Sequence, residues 1–100
     1  MAVADPEIMK RAKANMVAKA YRHQENKDAV ALKTMQSLQA DPQPEQGDWP
    51  SEDWLANFES YAEEASSDQL RTLFARLLAG EIRKPSSISP MTLHFVSMLD

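Results

Sequence analysis

The side chains of this sequence that could do chemistry are two histidines, a group of carboxylates and a short run of serines. His23 and His94 fall on different predicted helices, and neither has a second histidine at metal-ligand spacing. A tetrahedral zinc site needs three or four donors, so it would have to recruit carboxylates from elsewhere in the chain. The sequence holds no cysteine, which excludes a thiolate site and a disulfide alike. Glu52, Asp53, Glu59, Glu63 and Glu64 supply enough carboxyl groups for a general acid and a general base. They recur at helical spacing on one polar face, however, which is the pattern of a solvated surface. Ser86, Ser87 and Ser89 precede a proline-started helix with no paired base and read as turn and cap residues. A glycine-rich phosphate loop is absent, and only two glycines occur in the whole chain. The expectation is therefore a protein that is not an enzyme, with no catalytic residue, no cofactor, no metal ligand and no evident small-molecule site.

Charge is the more informative property. Residues 1–40 carry seven Lys/Arg against four Asp/Glu, whereas residues 41–100 carry four against eleven, within a net charge of −4. Between Asp41 and Asp68 there are nine acids and no Lys or Arg. Such a dipolar chain can associate head to tail or present an acidic face to a basic partner, although a solvated acidic surface explains the same pattern. The candidate contact residues are Lys10, Arg11, Lys19 and Arg22 on the basic side and Glu52, Asp53, Glu59 and Glu63 on the acidic side. Nucleic-acid binding through Lys10, Arg11, Lys13, Lys19, Arg22, Lys27 and Lys33 is conceivable but not favoured. The chain as a whole is acidic, with a pI near 5.1, and its field opposes phosphate.

These residues must be positioned by helices. Asp5-Pro6-Glu7 combines a capping side chain, a proline where its missing N–H is harmless and an acid at the positive end of the helix dipole. From Glu7 to Ala40 there is neither proline nor glycine, and residues 1–40 contain nine alanines, which predicts one long helix of ~50 Å. Its apolar stripe is thin: Ile8, Met9, Met16, Val17 and Tyr21 mark one stretch and Val30, Leu32, Met35 and Leu38 another. Residues 22–28 between them are all polar. The helix either crosses solvent there or breaks near Glu25-Asn26. Residues 41–50 hold three prolines and a glycine and predict a connector, with Trp49 anchoring it to a core.

A second helix opens at Ser51-Glu52-Asp53 and carries Trp54, Leu55, Phe58, Tyr61 and Ala62 on one face. Ser66 and Gln69 suggest a capping box for a third, with Leu70, Leu73, Phe74, Leu77 and Leu78, ending before Pro85. Ser89-Pro90 starts a fourth, with Leu93, Val96 and Leu99 on one face and Phe95 and Met98 beside it. The fold class is all-α, a small helical bundle. The expected organisation is a basic alanine-rich segment over 1–40, a proline-rich acidic linker over 41–50 and a three-helix core over 51–100.

Six of the seven aromatics lie between Trp49 and Phe95, so the core should belong to the second half and the first helix should lean on it or on another chain. At least one of Leu73 and Leu77 should be nearly fully buried against Trp54 or Phe58. The first twenty residues hold no continuous apolar run of the signal-peptide kind, and no segment is long enough to span a membrane, so the expected location is the cytoplasm.

From residue 53 onward the order and spacing of residues resemble a bacterial family known as domain of unknown function 2806. The resemblance is carried by Asp53, Trp54, Leu55 and Phe58, by Tyr61-Ala62, by Ser67-Asp68-Gln69, by Leu78 to Ile82, by Lys84-Pro85, and by Ser87, Ser89, Thr92, Leu93 and Phe95. It covers residues 53–95, with Pro90 as a departure from the residue expected there. The first segment is similar only in kind, a charged helix leading into an acidic linker. The resemblance implies an all-helical fold and a bacterial source, often a chromosomal island or prophage, and no activity. Members of the family continue past the helix holding Phe95, which makes the chain similar to a shortened or incomplete relative. Read physically, the motif is scaffold, with Gly80 marking a close approach of neighbouring backbone.

The functional expectation is a protein–protein interaction or oligomerisation module, binding a protein partner or itself. An alternative is a phage- or prophage-encoded inhibitor whose acidic stretch mimics nucleic acid, and a further one is weak nucleic-acid binding by the first helix.

Overall fold

The structure is a computed structural model and describes residues 5–43 and 48–99. Four helices account for it: α1 (Pro6–Ala40), α2 (Glu52–Ala62), α3 (Asp68–Arg83) and α4 (Pro90–Ser97). Each begins on a side chain that accepts from a free backbone N–H of the first turn. Asp5 takes Glu7 N at 2.9 Å, Ser51 takes Trp54 N at 3.1 Å, Ser67 takes Leu70 N at 3.1 Å and Ser89 takes Thr92 N at 3.2 Å. The cap of α3 is thus Ser67 and not Ser66: the box was read one residue early because adjacent serines offer the same chemistry. No helix of the described residues is long and apolar enough to cross a membrane.

The first helix is continuous. Successive contacts run its neighbours alternately up and down: α2 antiparallel to α1, α3 back along it, and α4 beside α2. Asn26 and Lys27 of α1 meet Glu63 and Glu59 of α2, while Asn26 and Ser37 meet Arg71 and Arg83 of α3. Trp54 and Tyr61 of α2 reach Ile88 and His94 in the same order. The molecule is 61 Å long and 25 Å wide, because the body covers only the second half of α1. Every residue from 5 to 22 is exposed.

The core joins Val30 of α1 to Trp54, Phe58 and Ala62 of α2, Ala65, Leu70, Phe74 and Ala75 of α3 and its approach, and Leu93 of α4. Trp54 stacks on Phe58 at 5.3 Å, and Phe58 meets Phe74 edge-on at 5.9 Å, both favourable aromatic geometries. The buried alanines let backbones approach closely enough for these rings to fill the centre. Leu73 and Leu77, expected at the centre, are only half-buried; the position between them, Phe74, is 1% exposed. The α3 stripe is therefore rotated from the leucine pair toward Phe74 and Ala75.

Trp49 is 66% exposed and anchors nothing, while Pro50 beside it is buried and closes the end of the connector. The middle of that connector, residues 44–47, lies outside the described residues. A Cβ built on Gly80 would meet only Ile88 Cδ1 at 3.9 Å, so no backbone approaches there and the glycine is not sterically required. The turn after α3 is instead held by Glu81, a carboxylate 2% exposed that accepts from Ser86 N at 2.9 Å and Ile88 N at 3.0 Å. Those two bonds compensate the burial of its charge and hold Ser86 at a positive φ of 69°.

Candidate interaction surfaces

The polar run of residues 22–28 is where α1 docks. Asn26, 6% exposed, donates from Nδ2 to the Glu63 carbonyl at 2.7 Å and accepts from Arg71 Nη2 at 2.7 Å. Arg71 completes the knot by donating from Nε to the Ala65 carbonyl at 3.0 Å. One amide thus caps a carbonyl at the end of α2 and orients a guanidinium that bonds a carbonyl in the turn into α3. Around this knot three side chains of α1, Lys27, His23 and Lys33, lie against carboxylates of α2, α3 and the turn between them. Lys27 Nζ sits 3.1 Å from Glu59 and 3.7 Å from Glu63, His23 lies 3.6 Å from Glu63 and 3.1 Å from Glu64, and Lys33 lies 3.0 Å from Asp68.

The electrostatics follow from these contacts. The hydrogen bond to Glu59 raises the pKa of Lys27 above its ordinary value of 10.5; desolvation opposes it, and the negative charges of Glu59 and Glu63 add to the rise. His23 does recruit two carboxylates, but one lies at each ring nitrogen, so the imidazole bridges Glu63 and Glu64 and does not share a centre with them. Among the described residues no three metal-ligating side chains converge on one point. His94, on α4, lies with Nδ1 at 3.3 Å from the Tyr61 hydroxyl, whereas His23 meets Glu63 and Glu64.

The residues singled out in the sequence separate into two groups. Lys10, Arg11, Lys19 and Arg22 are all exposed on the projecting half of α1, and Glu52 and Asp53 are exposed in the first turn of α2. Glu59 and Glu63 are already engaged by Lys27 and His23, so half of the acidic set faces the chain's own basic helix. The charge asymmetry of the sequence is in part neutralised within the molecule. Sequence reasoning did not single out Asn26 and Arg71. The signal for Asn26 is its register: Met9, Ala12, Met16, Lys19, His23, Asn26, Val30, Lys33 and Ser37 follow one another in alternating steps of three and four. That is a continuous helix seam in which an asparagine can occupy a buried position.

Among the described residues two apolar stripes face outward from the fold. One is the projecting half of α1, where Ile8, Met9, Met16, Val17 and Tyr21 are 46–71% exposed among basic residues. The other is the outer side of α4, where Met91, Phe95 and Met98, spaced as one stripe, are 59–66% exposed opposite the fully buried Leu93. Isolated exposed apolar residues are ordinary; stripes of them on a small domain mark contact sites.

The fold and these surfaces define an all-helical protein with a polar clamp and an outlying helical arm. The chain belongs to the family described as Protein of unknown function (DUF2806), whose model matches residues 10–100. The match takes in most of α1 as well as the part that carries the resemblance in sequence. No curated protein and no solved structure matches it.

Proposed function

We propose that this protein is an interaction module that binds another protein through the projecting half of α1 and carries out no catalysis. The observation that carries the reading is the division of one uninterrupted helix. Residues 23–37 bury their seam on α2 and α3, while the same seam continues outward as Met9, Ala12 and Met16, all exposed, with none of the described residues of the body packed on it. A bare helix of this length gains little from propensity alone, and burying its apolar face against a partner would stabilise it. The clusters that could have suggested chemistry are used internally: His23, Lys27, Glu59 and Glu63 tie α1 to α2, and Glu81 holds a turn. The test is a photo-crosslinking amino acid at position 17 of the full chain, on the arm, with position 60, exposed on α2, as control. A discrete protein adduct at position 17 and none at position 60 is the expected result in the source cell. No adduct at position 17, or equal adducts at both, would overturn the reading.

A further inference from the structure

We propose that the arm's partner is the body of a second copy of this chain, in a two-fold dimer in which each α1 arm lies across α4 of the other subunit. This rests on the binding role assigned above to the arm. The shape provides the first argument. The 17 residues from 6 to 22 extend ~26 Å at 1.5 Å per residue, so the arm takes up nearly half of the 61 Å length and the body the rest. The body lies on one side of α1 only, which makes the molecule an L whose notch faces along the arm. Two such shapes, turned antiparallel by a two-fold axis, interlock with each body in the other's notch. In that arrangement the partner's arm meets the side of the body that faces away from α1. This is the side of α4, which packs on α2 and α3 but, among the described residues, not on α1.

Charge provides the second argument and chooses among ways of pairing. Residues 5–22 carry five Lys/Arg and two Asp/Glu, a balance of +3, while the remainder of the chain carries six against thirteen, a balance of −7. Two arms laid on each other would repel, whereas an arm on a body attracts. Glu52 and Asp53, exposed in the first turn of α2, whose Trp54 reaches the approach to α4, are acids placed to receive Lys10, Arg11 or Lys13.

The third argument is the match of surfaces. Met9 and Met16 on the arm and Met91 and Met98 on α4 are all exposed, and methionine packs adaptably against irregular apolar partners. Extent agrees as well. An arm ~26 Å long and ~10 Å wide has a footprint of ~260 Å². Counted on both surfaces and doubled by the two-fold axis, this reaches ~1,000 Å², the lower edge of a specific interface. Exchange of both arms reaches that extent, whereas a single arm–body contact covers half of it and holds the pair more weakly.

The experiment is sedimentation equilibrium of the purified full chain with Met16→Asp, which spoils the arm, and Phe95→Asp, which spoils the α4 stripe. Both side chains are exposed, and circular dichroism checks that each variant stays helical; Lys19→Glu with Arg22→Glu serves as a second arm variant if Met16→Asp does not fold. The wild-type chain is expected to dimerise, more weakly as salt screens the arm–body attraction. Each variant alone should raise the dissociation constant at least about tenfold, as loss of a central anchor does. Mixed together, the two variants should recover part of the dimer, because an intact arm then meets an intact body at one of the two contacts. A chain monomeric at all concentrations, a dimer indifferent to Phe95→Asp, or a mixture with no recovery would overturn the proposal. If the chain is monomeric yet crosslinks at position 17 to a different protein, this inference fails while the binding role stands; with no crosslink at all, both fail.

Discussion

The two halves of α1 belong to one unbroken helix and have opposite fates. Residues 6–22 hold more apolar side chains, with Ile8, Met9, Met16, Val17 and Tyr21, and all of them face solvent. Residues 23–40 look more polar, and they supply Asn26, Val30 and Thr34 to the interior. Apolar content along a helix did not decide which half would dock. Docking went to the half that could satisfy the polar ends of the α2–α3 turn, through Asn26 and the cations beside it. The comparison teaches that a small domain can gain a helix by hydrogen-bonding its backbone ends as well as by covering its rings.

The strongest test of this division is a cavity in the body. Phe74→Ala should cost about 3–5 kcal/mol and lower the melting temperature by at least about 12 °C, since 1 kcal/mol moves a domain of this size by roughly 4–8 °C. Differential scanning calorimetry reads it directly. A smaller drop than that of Leu77→Ala would place the centre of the core on the leucine pair after all.

Next in size is the polar knot. Asn26→Ala removes a hydrogen bond to the Arg71 guanidinium and one to the Glu63 carbonyl, and should cost about 1.5–3 kcal/mol in urea unfolding. Arg71→Ala should cost clearly less in that background than in the wild type, because the two residues share one network. Additive losses would mean that Asn26 and Arg71 act separately and that the knot does not hold α1.

The ion pair beside it has a pH signature. The native pKa of Lys27 lies above its ordinary value, chiefly through the hydrogen bond to Glu59, so its contribution is complete below the unfolded value and disappears as pH rises through the native one. The difference in urea midpoint between wild type and Lys27→Met should thus be constant from neutral pH to about pH 10 and shrink above it. It should also shrink with salt, as an exposed pair is screened. A difference that persists unchanged at higher pH would assign the effect of Lys27 to its aliphatic stem.

The smallest effect belongs to the arm. At dilutions where the chain is monomeric, Met16→Ala and Val17→Ala should each change stability by no more than about 0.5 kcal/mol, the range of exposed positions. A loss comparable to that at Asn26 would mean that the arm packs on the body in solution, and the contrast between the two halves would vanish.

Much of this molecule could be read before folding it. Asp5-Pro6, Ser51 and Ser89-Pro90 announce helix starts by chemistry that acts within one turn, and Pro85 and the prolines of residues 41–50 end helices for equally local reasons. The aromatic run from Trp54 to Phe74 announces the core because ring burial dominates apolar energetics. The helix starts, the order of the helices and their approximate limits were therefore present in the sequence alone, whereas the continuity of α1 through residues 22–28 was open until the structure showed one helix. Which face each helix turns inward was not in the sequence either. A rotation of one residue moved the centre of α3 from Leu73 and Leu77 to Phe74 and Ala75, and only packing against Phe58 and Trp54 selects between them. The burial of Glu81 against two loop amides and the docking of a polar stretch through Asn26 and Arg71 are likewise decided by partners 5 to 45 residues away. Local propensity reaches one turn along the chain, whereas these choices depend on which unsatisfied groups meet once the helices are assembled.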